Sequence, residues 1–63
     1  MTKKDYVAIA AILKGAGDNW RDANGGRESP VIRSVAEELA RVMARDNPHF
    51  GWARFMTAAG VTP

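Results

Sequence analysis

The chain has no cysteine and only one histidine, His49, among its 63 residues. Without thiols it has neither a disulfide framework nor a thiolate metal site, and a single imidazole cannot build a multi-histidine zinc centre. Nor does it hold an apolar run of the roughly 18 residues that a membrane-spanning helix needs. Blocks of one charge are missing too: nine Lys+Arg stand against seven Asp+Glu, interspersed, and no like-charge run is longer than Lys3-Lys4. A net charge of +2 spread in this way is not the clustered basic stripe that binding by counterion release favours. The apolar stretch from Val7 to Leu13 follows two lysines, but Asp5 interrupts that basic start and no cleavage-type tail follows, so a secretory signal is not expected. The expected location is cytoplasmic.

What is present describes a small folded unit. Hydrophobic residues make up 46% and charged residues 25%, a balance that supports a compact core rather than disorder. The length suits a single domain, 1–63. At this size one core contributes only about 3–5 kcal/mol of net stability.

Periodicity predicts three helices. Thr2 is placed to cap the first, and Asp5, three residues on, puts an anion in the first turn where the helix dipole favours it. Tyr6, Ile9, Ala10 and Leu13 recur at the i, i+3, i+4, i+7 spacing of one helical face. Gly15 and Gly17 then read as stops, giving a helix over about 3–14. Residues 15–29, GAGDNWRDANGGRES, are rich in the residues that favour turns and are expected to form a long loop. Ser29-Pro30 is an N-cap followed by an N1 proline. The stripe Ile32, Val35, Ala36, Leu39, Val42, Met43 carries the second helix over about 30–45, with Glu37 and Arg41 spaced for an i,i+4 ion pair. Asn47-Pro48 breaks it. Trp52, Phe55, Met56 and Ala59 mark a third helix over about 52–59. Its ending places Gly60 and Val61 for a Schellman motif, with Val61 against Met56. The expected fold is an all-α, three-helix mini-domain. Its expected core is Tyr6, Ile9, Leu13, Ile32, Val35, Leu39, Val42, Phe50, Phe55 and Met56.

The residues with chemistry to offer are few and badly spaced for it. Asp18, Asp22 and Glu28 lie in the glycine-rich segment, but counting from Asp18 puts Trp20 and Ala23 where a calcium loop needs an oxygen ligand and a glycine. Gly15-Ala16-Gly17 has no preceding strand and no third spaced glycine, so it is not a phosphate cradle. His49 has no cysteine or serine at a recognisable catalytic spacing. Glu37 and Glu38 are adjacent, about 100° apart on a helix, and cannot flank one bond as an acid and base pair. No enzyme activity, no cofactor and no metal is expected.

Binding has more support. Beyond its core stripe the first helix carries Val7, Ala8, Ala11 and Ile12, and a helix apolar on every side is normally buried on every side. The expected partner-binding residues are Val7, Ala11, Ile12, Trp20 and Trp52. The two tryptophans qualify because such side chains anchor interfaces when they do not lid a core. Self-association as a homodimer is one form such binding would take. The alternative is a small DNA-associated protein using Lys3, Lys4, Arg33, Arg41 and Arg45. In that reading the second and third helices act as a helix-turn-helix, with Trp52, Arg54 and Thr57 towards the duplex.

Two terminal stretches, Met1-Thr2-Lys3-Lys4-Asp5-Tyr6 with Ile9-Ala10, and Asn47-Pro48-His49-Phe50 with Arg54-Phe55 and Ala59-Gly60-Val61, give the chain a further meaning. On these residues it resembles a family of small proteins of tailed bacteriophages and prophages, particularly of actinobacterial hosts. The middle is similar only in pattern, through Val35-Ala36 and Leu39-Ala40. Gly51 stands where that family tends to have an aspartate, and Trp52 where a polar residue is usual. The family has no assigned activity, so the resemblance implies a phage origin, a place in the host cytoplasm and little chemistry. Together these readings point to a non-enzymatic phage accessory protein that binds a host or phage protein.

Overall fold

The computed structural model describes residues 1–61, which fold as three α-helices: α1 (Lys3–Ala23), α2 (Pro30–Asp46) and α3 (Trp52–Ala58). The domain is all-α, as the periodicity predicts. At its start the Asp5 carboxylate accepts the Thr2 backbone N–H at 2.9 Å and the Thr2 hydroxyl at 3.3 Å, which closes the first turn of α1.

The end of α1 differs from expectation. The helix does not stop at Gly15 or Gly17; it continues to Ala23, and the anticipated loop 15–29 shrinks to the connection 24–29. A glycine inside a helix costs only about 1 kcal/mol, and contacts made by the following turns offset that. Gly17 is buried where α1 meets α2, with Ile32 Cγ2 3.9 Å from the position a Cβ would take. Lys14 and Arg21 both pair with Asp18, at 2.9 and 3.4 Å, and so brace the glycine segment from one side. Arg21 Nη2 also donates to the Gly60 carbonyl at 2.7 Å, tying this part of α1 to the end of α3. Chain reversal comes instead at Gly25 and Gly26, whose φ values of +67° and +84° suit glycine. There the Gly26 N–H donates to the Arg21 carbonyl at 2.8 Å, the 6→1 bond of a Schellman ending.

α2 begins where Ser29-Pro30 predicts. The Ser29 hydroxyl accepts the Ile32 N–H at 3.1 Å, Pro30 occupies N1, and Ser29 itself is buried. Arg41 pairs with Glu38 rather than with the expected Glu37. Asn47, extended before Pro48, ends the helix. Its side-chain oxygen accepts the His49 N–H at 3.0 Å, and its carbonyl accepts the Phe50 N–H at 3.0 Å, forming the turn into α3. α3 closes with the predicted Schellman motif: Val61 N–H to Met56 O and Gly60 N–H to Thr57 O, both 3.0 Å, with Gly60 at φ +75°.

α1 and α2 run antiparallel. The Met1 ammonium lies 3.4 Å from Asp46 at the far end of α2, and Gly17 faces Ile32 near its start. α3 packs across one side of this pair. The buried core is Ala10, Leu13, Ala36, Ala40, Met43, Phe55, Met56, Ala59 and Val61, with Tyr6, Ile9, Ile32, Leu39 and Phe50 packed against it. Two expected core residues are absent from it: Val35 is 43% exposed and Val42 46% exposed. The stripe on α2 is wider than its neighbours can cover. Ala36, Ala40 and Met43 turn inward, whereas Val35 and Val42 sit roughly 100–120° round the helix from Ala36 and fall outside.

Candidate functional site

The exposed apolar side chains fall on two separate surfaces. The first is a groove of about 620 Å³ between the start of α1 and α3. Val7 and Trp52 lie along it, with Lys3, His49 and Arg54 among its polar members. Its floor is aromatic: Tyr6 meets Phe50 edge-on with ring centroids 5.1 Å apart, and Phe50 meets Phe55 at 5.5 Å. The Tyr6 hydroxyl is buried and has no hydrogen-bond partner among the described residues. Trp52 also borders a shallower hollow with Glu38, Arg41, Ala44 and Arg45, so it stands as a ridge between the two.

The second surface is the side of the α1/α2 pair turned away from α3. Groove residues Lys3, Val7 and Ala10 fix the direction of α3 on the wheel of α1, and Gly17 fixes that of α2. Counting about 100° per residue from these marks, Ile12 and Ala16 point to the opposite side. The same count on α2 puts Val31, Val35 and Val42 on that side as well. Ile12 is 70% exposed and Val31 67% exposed. Trp20, 41% exposed, flanks this face near the end of α1, across from Val31. It is a helical residue, not the loop residue expected, and its carbonyl accepts the Asn24 side-chain amide at 2.8 Å.

The five residues expected to bind a partner are therefore not one site. Val7 and Trp52 share the α1/α3 groove, Ile12 and Trp20 belong to the other face, and Ala11 is exposed between them on the back of α1. Sequence reasoning missed Val31 altogether and assigned Val35 and Val42 to the core. One usable signal was the small pair Ala36 and Ala40, which marks the line of closest helix approach and leaves the valines on its flank.

The cations expected for nucleic acid divide as well. Because α1 and α2 are antiparallel, Lys3 and Lys4 lie at the same end of the molecule as Arg41 and Arg45, and Lys3, Arg41 and Arg45 border hollows shared with Trp52. Arg33 sits at the other end of α2 and is engaged by Glu28 at 2.7 Å, a hydrogen bond that raises its pKa further above the usual guanidinium value. The hydrogen bond from Lys14, with the nearby charges of Lys14 and Arg21, holds the Asp18 carboxyl below the usual carboxylate range. Among the described residues no three His, Asp or Glu side chains come together in an arrangement that could hold a metal ion, and no helix is long and apolar enough to cross a membrane. The α3 of the suggested helix-turn-helix is seven residues long, with Phe55 and Met56 buried and Arg54 and Thr57 outside.

Fold and surface together define a small all-α domain whose two long helices are covered by a third on one side only. No family model, curated protein or solved structure matches the chain.

Proposed function

We propose that the protein is a non-enzymatic accessory protein of a phage or prophage that acts in the host cytoplasm by binding a host or phage protein. The observation that carries this reading is the uncovered face of the α1/α2 pair, on which Ile12, Val31, Val35 and Val42 all stand exposed. Scattered apolar residues on a surface are ordinary; several aligned on one face mark an interaction site. The phage origin rests on the resemblance of the terminal motifs. Affinity capture from host and phage-infected lysates with the wild-type chain and with Val35→Glu tests the reading. A partner retained by the wild type and lost by the variant is the expected result. Equal recovery with both would refute the role of this face.

A second reading, DNA association, draws on the gathering of Lys3, Lys4, Arg41 and Arg45 at the end that carries Trp52. Electrostatic binding of that kind weakens about tenfold or more over a fourfold rise in salt. A titration of duplex DNA at low and raised salt decides it, and no shift even at low salt would remove it.

A further inference from the structure

We propose that the uncovered α1/α2 face is the seat of a second copy of this chain, the two hairpins stacking face to face into a four-helix core with one α3 on each outer side. The proposal rests on the protein-binding reading and names its partner. Three features point to self-pairing.

The first is the pattern on α2. Val31, Val35 and Val42, four and seven residues apart, form one apolar seam along a side of the helix. Yet this seam lies outside the domain's own core, with its three valines 43–67% exposed. A seam of this kind facing outward lacks only a helix to lie against.

Area is the second. Allowing roughly 150 Å² for a fully exposed aliphatic side chain and 250 Å² for tryptophan, Ile12, Trp20, Val31, Val35 and Val42 offer about 440 Å² per chain. Two copies then remove about 900 Å² from water, the size of a weak, reversible contact rather than of a stable dimer. The face is also flat enough to be met by its own copy, because it consists of two long helices side by side. The Cα atoms span 37 × 18 × 14 Å, so the molecule is a slab, long and thin.

Charge is the third. The contact of Met1 with Asp46 sets the register, and places Asp5 of α1 level with the last turn of α2. With a two-fold axis parallel to the helices, α1 of one chain lies antiparallel beside α2 of the other. Asp5, on the uncovered side of α1, then approaches the second copy's Arg45, which stands at the outer rim of its α2 between this face and the Trp52 hollow. An isologous interface makes every such contact twice. In the single chain Arg45 has no ion-pair partner among the described residues.

Sedimentation velocity over about 5–500 µM tests this, the range suited to an interface at the small end of the scale. The expected result is reversible movement from 6.8 kDa to twice that mass. Val35→Glu is expected to raise the dissociation constant at least about tenfold, since it carries an unpaired carboxylate into the seam twice over. Ile12→Lys should do the same from α1. Both positions are exposed in the single chain, so far-UV circular dichroism at low concentration should stay helical, and Arg54→Ala, exposed in the α1/α3 groove on the other side, should leave the mass unchanged. A wild type that remains at 6.8 kDa throughout overturns the second copy, as does a dimer that survives both substitutions or dissolves with Arg54→Ala. The two readings fail separately. A monomer that captures another protein through Val35 leaves protein binding standing, whereas a monomer with no Val35-dependent capture defeats both.

Discussion

Met43 and Val42 are neighbours on α2, and both fall on its apolar stripe, but the fold treats them oppositely. Met43 is completely buried, while Val42 is nearly half exposed. Met43→Ala removes the side chain beyond Cβ from a site enclosed among Ala10, Ala40, Phe55 and other core residues, a truncation that typically costs 2–5 kcal/mol through lost transfer energy and a residual cavity, or about 3 kcal/mol here. A domain of this size has only about 3–5 kcal/mol in hand, so the variant should sit near its unfolding midpoint in buffer at 25 °C. Val42→Ala removes two methyls that are already nearly half in water and should cost about 0.5 kcal/mol. Urea unfolding followed by circular dichroism measures both. Protein at about 1 µM keeps self-association from adding to the apparent stability. Equal losses at the two positions would refute the burial argument, as would a Met43→Ala cost below about 1 kcal/mol with an unchanged urea slope.

Other expectations are smaller. Ser29→Ala removes the acceptor for the Ile32 N–H and should lower stability by about 1 kcal/mol, with Ser29→Asp recovering most of it; a neutral Ser29→Ala would mean the cap is idle. Gly60→Ala forces a Cβ into a backbone at φ +75°, 3.4 Å from Lys14 Cγ, and should cost about 1–2 kcal/mol, whereas Gly15→Ala, with open space around it, should stabilise α1 by up to about 1 kcal/mol. Tyr6→Phe deletes a buried hydroxyl with no protein partner, so stability should hold or rise by up to about 1 kcal/mol, and a clear loss would reveal a bond to that oxygen. Asp18 titrates below the ordinary carboxylate range. Its contribution to stability is therefore complete above that range and disappears as pH falls through the lowered folded value. Lys14→Met should bring the Asp18 titration, followed by carboxyl NMR shifts, back towards the usual range; no movement would mean Lys14 is not the cause.

Local chemistry was enough to predict much of this molecule. The Thr2–Asp5 start, the Ser29-Pro30 cap, the Asn47-Pro48 break and the Gly60-Val61 ending are all legible because each depends on residues within one turn of each other. Hence the number of helices, their class and most of their boundaries came from sequence. The end of α1 did not, because local preference at Gly15 and Gly17 was overruled by distant partners, Ile32 against Gly17 and the Gly60 carbonyl on Arg21.

The candidate surface was harder to read for a related reason. A helical wheel shows which residues share a stripe, but not how much of that stripe a neighbour will cover. Val35 and Val42 look like core on α2 alone. Only the position of α3, on one side of the α1/α2 pair, leaves them outside and sets them beside Ile12 from a helix elsewhere in the chain. Which residues are apolar and which turns begin and end the helices can be read along the chain, because those are short-range effects. Tertiary packing decided which apolar residues are buried and which form a face, because burial depends on what lies opposite, and that is set by contacts between residues far apart in the chain.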